Sequence, residues 1–111
     1  MKQKIKKNVI KKTMKTKVYH LSRVKDRESI KKNGIIPFSK DSGRIKYEPR
    51  IFVSINIEDL AFDFVDYEDV DCWEFNVNKK QLKKDIFSSS KNHFYINKKI
   101  TPSKIKLVAT F

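Results

Sequence analysis

The sequence has few of the residues that stabilise disulfide-bonded, metal-bound or membrane-spanning folds. Its 111 residues include one cysteine, two glycines and three prolines. A lone cysteine, Cys72, excludes an intramolecular disulfide and a cysteine-rich zinc site, and we expect no metal. No apolar run approaches the roughly 20 residues that span a bilayer, and the first residues lack the apolar segment of a signal peptide. We therefore expect one soluble domain in the cytoplasm or inside a viral particle.

Charge is abundant and divided into blocks. Residues 1–17 hold eight lysines and no acid, residues 58–74 hold eight acids and no basic residue, and residues 75–111 hold nine lysines and one acid. The basic blocks favour nucleic acid or another polyanion as a partner, whereas a lysine-rich composition that serves solubility alone is the alternative. The acidic block, Glu58 to Glu74, would form a solvated face or pair with a basic partner. The tail lysines expected to contact nucleic acid are Lys2, Lys4, Lys6, Lys7, Lys11, Lys12, Lys15 and Lys17.

The chain divides into a tail and one small α+β domain. Residues 1–17 contain little that could form a core, so we expect a flexible basic tail. Residues 18–111 alternate short apolar strands with short helical segments, which is typical of the α+β class. Asp26 is a suitable N-cap and Gly34 a suitable stop for a helix over Arg27–Asn33. Apolar residues at helical spacing predict a second helix over residues 57–64.

The strands and the turns between them carry a series of short motifs in a definite order. Each motif is short, so their order is more informative than any one of them. The motifs are Tyr19-His20-Leu21-Ser22, Asn33-Gly34-Ile35-Ile36-Pro37, Ile51-Phe52-Val53-Ser54, Trp73-Glu74-Phe75-Asn76-Val77, Phe94-Tyr95-Ile96 and the segment from Ile100 to Ile105.

This series resembles the ADP-ribosyltransferase-like superfamily over residues 18–108, and it is most similar to compact DNA-modifying transferase toxins and RNA 2′-phosphotransferases. The resemblance implies a small split sheet with two short helices and NAD as the cofactor. It also implies that His20 donates a hydrogen bond to a ribose, which a neutral imidazole can do. The Leu21 backbone and the Ser22 hydroxyl would hold the nicotinamide amide, and Phe52 would be the stacking aromatic of the second motif strand.

The sequence departs from the family at the catalytic glutamate. Members usually carry this residue near the start of a late strand, where it holds the ribose 2′-hydroxyl, and here the aligned residue is His93. The RNA 2′-phosphotransferases lack that glutamate and hold phosphates with histidine and arginine. Arg23, Arg44 and Arg50 are three of the four arginines, and their guanidinium groups match phosphate geometry.

Two functional hypotheses follow. In the first, the domain binds NAD or a terminal phosphate, with or without nucleic acid, and transfers ADP-ribose or handles the phosphate, with His20, Ser22 and His93 as its catalytic residues. In the second, a non-enzymatic protein on the same scaffold binds nucleic acid or assembles into a virus-like particle. The retained histidine and serine favour the first, and the missing glutamate favours the second.

Overall fold

Six antiparallel strands form the central sheet in the computed structural model, which describes residues 14–37, 41–42, 45–46, 49–60 and 69–111. The described residues form eight strands in all, namely β1 (Lys15–Arg23), β2 (Asp41–Ser42), β3 (Ile45–Lys46), β4 (Ile51–Ser54), β5 (Val70–Asn78), β6 (Lys83–Lys84), β7 (His93–Ile96) and β8 (Lys106–Thr110). The central sheet has the strand order β6-β7-β4-β1-β5-β8, and β2 and β3 pair with each other as a separate two-stranded sheet. The helical elements are α1 (Arg27–Asn33) and 3₁₀ turns at Val24–Asp26, Lys79–Gln81 and Pro102–Lys104. This architecture is consistent with the predicted α+β class.

The central strand β1 begins earlier than the sequence predicts. Its first residue, Lys15, lies opposite Asn78 at the end of β5. Lys15 and Lys17, which the sequence assigns to the tail, therefore belong to the sheet. The pairing extends the strand because long antiparallel ladders tolerate polar residues wherever one face meets water. Residues 1–13 lie outside the described residues.

The helix α1 covers Arg27–Asn33, the range that the sequence predicts. Gly34 ends it at a φ of 84°, and its N–H donates to the Ile30 carbonyl at 2.8 Å. A Cβ at Gly34 would lie 2.1 Å from the Ile100 carbonyl oxygen, so both the conformation and the space require glycine. Ile35 and Ile100 then exchange backbone hydrogen bonds of 2.9 Å, which fasten the segment after α1 to the rest of the domain.

The second predicted helix falls largely outside the described residues. Of its residues 57–64, residues 57–60 are described and form a turn rather than a helix. Asn56 Oδ1 accepts the Glu58 N–H at 2.9 Å, and this hydrogen bond stabilises the turn. Within the described part of the chain, α1 is the only α-helix.

Apolar side chains pack on both faces of the sheet. The helix-side core lies between the sheet and α1 and includes Trp73 and Phe75. The opposite-face core contains Leu21 and Cys72. Burial, with a smaller contribution from Glu74, raises the pKa of the Cys72 thiol to about 11. The thiol is therefore protonated at neutral pH and is a poor nucleophile.

The sheet opens between β1 and β4. Nine residue pairs join β1 to β5, from Lys15 opposite Asn78 to Arg23 opposite Val70. Only one register pair, Tyr19 opposite Ser54, joins β1 to β4. Beyond that pair, residues 20–23 of β1 and 51–53 of β4 separate, and the turn after β1 leads into α1. The opening leaves a cleft at this end of the sheet.

Candidate functional site

A cleft of about 660 Å³ lies where β1 and β4 separate, and α1 with the turn before it contributes to its wall. This volume is within the range of about 300–1,000 Å³ that small-molecule sites occupy. Arg44 lies outside the described residues, and His93 is not among the lining residues. Six of the eight catalytic and cofactor-binding residues predicted from the sequence line the cleft, namely His20, Leu21, Ser22, Arg23, Arg50 and Phe52.

The His20 ring has a defined tautomer. Its Nδ1 lies 2.7 Å from the Phe52 carbonyl oxygen, which can only accept, so Nδ1 carries a proton. Burial lowers the pKa of His20, and the bond to Phe52 only partly offsets this effect. The ring is therefore neutral at pH 7, and its Nε2 is a hydrogen-bond acceptor. The expected direction of the ribose contact is thereby reversed, because a ribose hydroxyl would donate to Nε2.

The Ser22 hydroxyl accepts one hydrogen bond and can still donate its own proton. It is 7% exposed, and its Oγ accepts the Trp73 indole N–H at 2.8 Å. That bond orients the hydroxyl and leaves its own proton to donate. The Leu21 side chain packs in the opposite-face core. The part of Leu21 that borders the cleft is therefore its backbone, as the family resemblance implies.

Arg50 and Phe52 both pack against the ring of Tyr95. The Arg50 guanidinium carbon lies 4.3 Å from the centre of the Tyr95 ring, which is a favourable cation–π distance. Tyr95 lies opposite Phe52 in the ladder, with ring centres 6.1 Å apart. Phe52 remains 43% exposed. Val53 packs in the helix-side core, so the neighbouring Phe52 ring lies on the other face of the sheet, and the part of Phe52 that reaches His20 is its backbone carbonyl.

The described lining of the cleft is positively charged. It contains Arg23, Lys25 and Arg50 against one carboxylate, Asp26. Arginine and lysine are the side chains that bind phosphate groups most strongly. The charge balance therefore suits an anionic ligand.

A buried ion pair holds α1 beside the cleft. Asp71 is fully buried on β5 and lies opposite Ser22 in the ladder. Its two oxygens accept from Arg27 Nε at 2.9 Å and Arg27 Nη2 at 2.7 Å, and the Thr110 hydroxyl also donates to it at 2.7 Å. The Arg27 bonds are the main reason that the pKa of Asp71 lies below its ordinary value. The pair therefore joins the first turn of α1 to the strand behind the cleft.

His93 lies on the other face of the sheet from His20. It begins β7 opposite Ser54, and Ser54 lies opposite Tyr19. Residues that oppose one another in a ladder share a face, whereas neighbours in sequence alternate. His93 therefore shares the face of Tyr19, and the structure does not bring it together with His20.

Both nitrogens of the His93 ring form hydrogen bonds within the chain. Its Nε2–H donates to the Asp59 carbonyl at 2.9 Å, and its Nδ1 accepts from the Ser88 hydroxyl at 2.6 Å. The Asp59 carboxylate in turn accepts from the Ser90 hydroxyl and from the Asn92 amide, and these two bonds are the main reason that its pKa is lowered. His93 therefore orders the loop between β6 and β7.

No family model, curated protein or solved structure matches the chain. The shape, charge and hydrogen bonding of the cleft therefore carry the functional argument.

The described acids of the block from Glu58 to Glu74 are mostly engaged within the chain. Asp71 binds Arg27, Asp59 binds the loop before β7, and Glu74 Oε1 lies 3.7 Å from Lys17 Nζ. Within the described ranges, no group of three or more histidine, cysteine or acidic side chains is arranged to hold a metal ion. No helix in that same part of the protein has the length and apolar character needed to cross a membrane.

Three further polar residues line the cleft, namely Lys25, Asp26 and Ser29, and the sequence does not predict them there. The sequence predicts Asp26 as the N-cap of α1. It does occupy that position, but its side chain makes no capping hydrogen bond. The signal that could have revealed these residues is their position in the turn and helix that directly follow the strand of His20 and Ser22.

Two lysine-rich segments meet at the far end of β1 from the cleft. The Lys79 N–H donates to the Met14 carbonyl at 3.1 Å, so the 3₁₀ turn after β5 lies beside the start of β1. Lys15, Lys79 and Lys80 are all exposed there. We refer to these three residues as the basic end. Residues 1–13, which contain six lysines, precede it directly in the chain.

Proposed function

We propose that this chain is an ADP-ribosyltransferase-like domain whose cleft binds a nucleotide, either NAD or a molecule with a terminal phosphate. The observation that supports this proposal is that six residues expected to contact the nucleotide line one cleft. They come from two segments, residues 20–23 and 50–52, which are brought together only through the neighbouring strands β1 and β4. Unrelated surface residues would not be expected to converge in this way.

The opening in the sheet is a second support. The resemblance predicts a split sheet, and β1 and β4 separate after the single pair of Tyr19 and Ser54. Ligands bind preferentially where neighbouring elements diverge, because side chains of both can reach the same space. The cleft lies at this divergence.

The chemistry of the cleft suits the parts of a nucleotide. Arg23 and Arg50 would bind phosphate oxygens. The neutral His20 Nε2 would accept a hydrogen bond from a ribose hydroxyl, and the Ser22 hydroxyl would donate to a carbonyl such as that of the nicotinamide amide. His93, on the other face, supplies none of these contacts. Nucleotide binding is therefore the core of the proposal, and transfer of ADP-ribose is the activity to assay.

Thermal unfolding in the presence of ligands tests the proposal. A ligand that binds the folded state at 100 times its Kd stabilises it by about 2.7 kcal/mol, so NAD, ADP-ribose or a 2′-phosphorylated oligoribonucleotide should raise the Tm clearly. Adenosine, which lacks phosphates, should have a much smaller effect. Absence of any shift with all three phosphate-bearing ligands would overturn the proposal. Nicotinamide release from NAD reports separately on turnover.

A second candidate function is the binding of nucleic acid at the basic end. The hydrogen bond between Lys79 and Met14 favours it, because that contact joins the lysines after β5 to the end of the lysine-rich segment. Exposed ammonium groups at one location attract a polyanion and release its counterions. This function does not require catalysis and is compatible with nucleotide binding at the opposite end of β1.

The salt dependence of oligonucleotide binding tests this second function. The double variant Lys79→Gln, Lys80→Gln should bind single-stranded DNA more weakly and reduce the slope of log K against log salt by about 1.4, since each lost phosphate contact accounts for about 0.7. Fluorescence anisotropy of a labelled oligonucleotide measures both quantities. The matched control is Lys31→Gln, Lys32→Gln, which removes the same charge from exposed positions of α1. Equal effects of the two pairs, or binding insensitive to salt, would contradict a specific role of the basic end.

A further inference from the structure

The loop between β6 and β7 exposes two large apolar side chains, Ile86 and Phe87, which we refer to as the apolar tip. Each is 79% exposed, more than any other large hydrophobic residue in the described ranges. They occupy the two central positions of a turn in which the Ser88 N–H donates to the Asp85 carbonyl at 3.2 Å. Glycine, proline, asparagine, aspartate and serine are the residues that favour such turns. The apolar pair therefore serves neither the turn nor the core, and it points to a contact outside the chain.

Side-chain hydrogen bonds hold the loop in the conformation that exposes the apolar tip. Asp85 Oδ1 accepts the Phe87 N–H at 3.1 Å, which supports the turn itself. Beyond the turn, the Ser88 hydroxyl lies 2.6 Å from His93 Nδ1, and the bonds to Asp59 described above fix the rest of the loop. An ordered loop loses little further conformational freedom when a partner covers it. The loop is thus built to present two apolar side chains.

A neighbouring turn adds to the apolar surface. Ile55 and Ile57 are 38% and 40% exposed and lie shortly before Asp59. The Ile55 N–H donates to the Asn92 carbonyl at 3.0 Å, and the Asn92 side chain donates to the Asp59 carboxylate at 2.8 Å. The turn and the loop are therefore bonded to each other at the end of the sheet where β4 ends and β7 begins. Four of the eight exposed large hydrophobic residues in the described ranges lie on these two segments.

The charges in the loop of the apolar tip are mainly positive. Lys83 precedes the tip, Lys91 follows it, and both are exposed. Lys84 donates to the His93 carbonyl at 3.2 Å at the base of the same loop. The acid of this loop, Asp85, already accepts a backbone N–H with its Oδ1. Apolar side chains flanked by ammonium groups match the boundary of an anionic bilayer, where acyl chains lie beneath negatively charged headgroups.

We infer that the apolar tip inserts into the headgroup region of an anionic lipid surface, where Lys83 and Lys91 bind the headgroups. The tip is the convex apex of a turn, which can enter between lipids. The lysine stems are apolar, so the ammonium groups can stay at the headgroups while the stems lie beside the inserted residues. Apolar insertion and charge attraction are two signals of the kind that together attach a protein to a membrane surface. The inference does not depend on nucleotide binding, because the residues that line the cleft lie between 20 and 52.

Co-sedimentation of the full chain with lipid vesicles tests the inference. Vesicles of equal parts phosphatidylglycerol and phosphatidylcholine should bind the protein about tenfold or more tightly than vesicles of phosphatidylcholine alone. The double variant Ile86→Ser, Phe87→Ser should lower the partition coefficient by about a hundredfold, roughly tenfold for each side chain that loses its burial. Lys83→Gln, Lys91→Gln should lower it by about fivefold for each lysine.

Phe111 provides the matched control for Phe87. It is also exposed, at 55%, but it follows β8, which lies at the opposite edge of the sheet from β6. Phe111→Ser should therefore leave the partition coefficient nearly unchanged, whereas Phe87→Ser should lower it.

A tryptophan placed at the tip reports insertion directly. The native Trp73 is 2% exposed, so its emission should not respond to lipid. In Phe87→Trp, the added indole should enter the membrane interface, which tryptophan favours. Its emission should then shift to shorter wavelength on the mixed vesicles and be quenched by brominated acyl chains. Phe111→Trp should show neither change.

The outcomes separate insertion of the tip from general attraction of a basic chain. Equal binding by the unaltered protein and by Ile86→Ser, Phe87→Ser would overturn the inference, because charge alone would then account for the binding. An unshifted emission of vesicle-bound Phe87→Trp, or equal losses in Phe87→Ser and Phe111→Ser, would overturn it as well. Equal affinity for neutral and anionic vesicles contradicts the anionic surface. Absence of vesicle binding also overturns the inference, and a loss of oligonucleotide binding in Phe87→Ser would then assign the tip to nucleic acid. Thermal unfolding verifies that each variant is folded.

Discussion

Asp71→Asn is expected to lower the free energy of unfolding by about 3 kcal/mol, the cost of breaking one partner of a buried ion pair. Asp71 is fully buried, and it accepts both Arg27 bonds and the Thr110 hydroxyl. Asparagine preserves the shape but removes the charge and replaces one acceptor oxygen with a donor. Arg27 then loses its two-point contact, and α1 loses its attachment to β5. Urea unfolding at pH 7 measures the change, with an unaltered m-value as the sign that the unfolded state is the same.

Glu28→Gln is the matched control, because it removes the same charge from the first turn of α1 at a side chain that is 88% exposed. Its stability should be nearly unchanged. Acid titration gives an independent readout. The pKa of Asp71 is lowered in the folded state, so its stabilisation is present above the unfolded carboxyl pKa near 4 and is lost as the pH falls below it. The free energy of unfolding of Asp71→Asn should therefore fall less on acidification than that of the unaltered protein. An unchanged unfolding energy together with an unchanged acid slope would show that the ion pair contributes nothing.

His20→Gln is expected to weaken NAD or ADP-ribose binding by about tenfold or more. The reason is that His20 presents Nε2 as an acceptor at a position held by the bond between Nδ1 and the Phe52 carbonyl. In the unaltered protein, affinity should be constant above about pH 6.5 and should fall at lower pH, because protonation converts Nε2 into a donor. Burial lowers the pKa of His20, so the midpoint of this fall should lie below 6.5. Isothermal titration across pH measures both effects.

The matched control is His93→Gln, which makes the same substitution on the other face of the sheet. It should lower the Tm, because His93 joins Asp59 to Ser88, and it should change the affinity by less than about twofold. Loss of binding in His93→Gln with retention in His20→Gln would reverse the assignment of the two histidines. Such a result would mean that the ligand binds near the loop before β7.

Features set by neighbouring residues were predictable from the sequence. The end of α1 follows from Gly34, since a helix stop depends on local backbone conformation. The strand of Trp73 and Phe75 follows from alternation, because apolar residues at every second position bury one face. The set of cleft residues came from motif order and resemblance, and six of them line one cleft.

Features set by long-range pairing were not predictable. The position of His93 depends on the register of β7 against β4 and of β4 against β1, and a shift of one residue would have placed it on the other face. The partner of Arg27 is Asp71, which lies within an acidic sequence block whose composition predicts a solvated face. Asp26 has the sequence context of a capping residue, and only the structure shows that its side chain makes no capping hydrogen bond.

The order of the strands in the sheet has a consequence for how the chain is made. The central strand β1 is synthesised first, yet its main partner β5 is distant in sequence, with Lys15 opposite Asn78 and Arg23 opposite Val70. The last strand, β8, completes the β5 side of the sheet. Pairings of such large sequence separation slow folding, because a long loop must close before any contact forms. During translation β1 therefore emerges without its partner, and the β1–β5 ladder can be completed only after the segment up to Asn78 has left the ribosome.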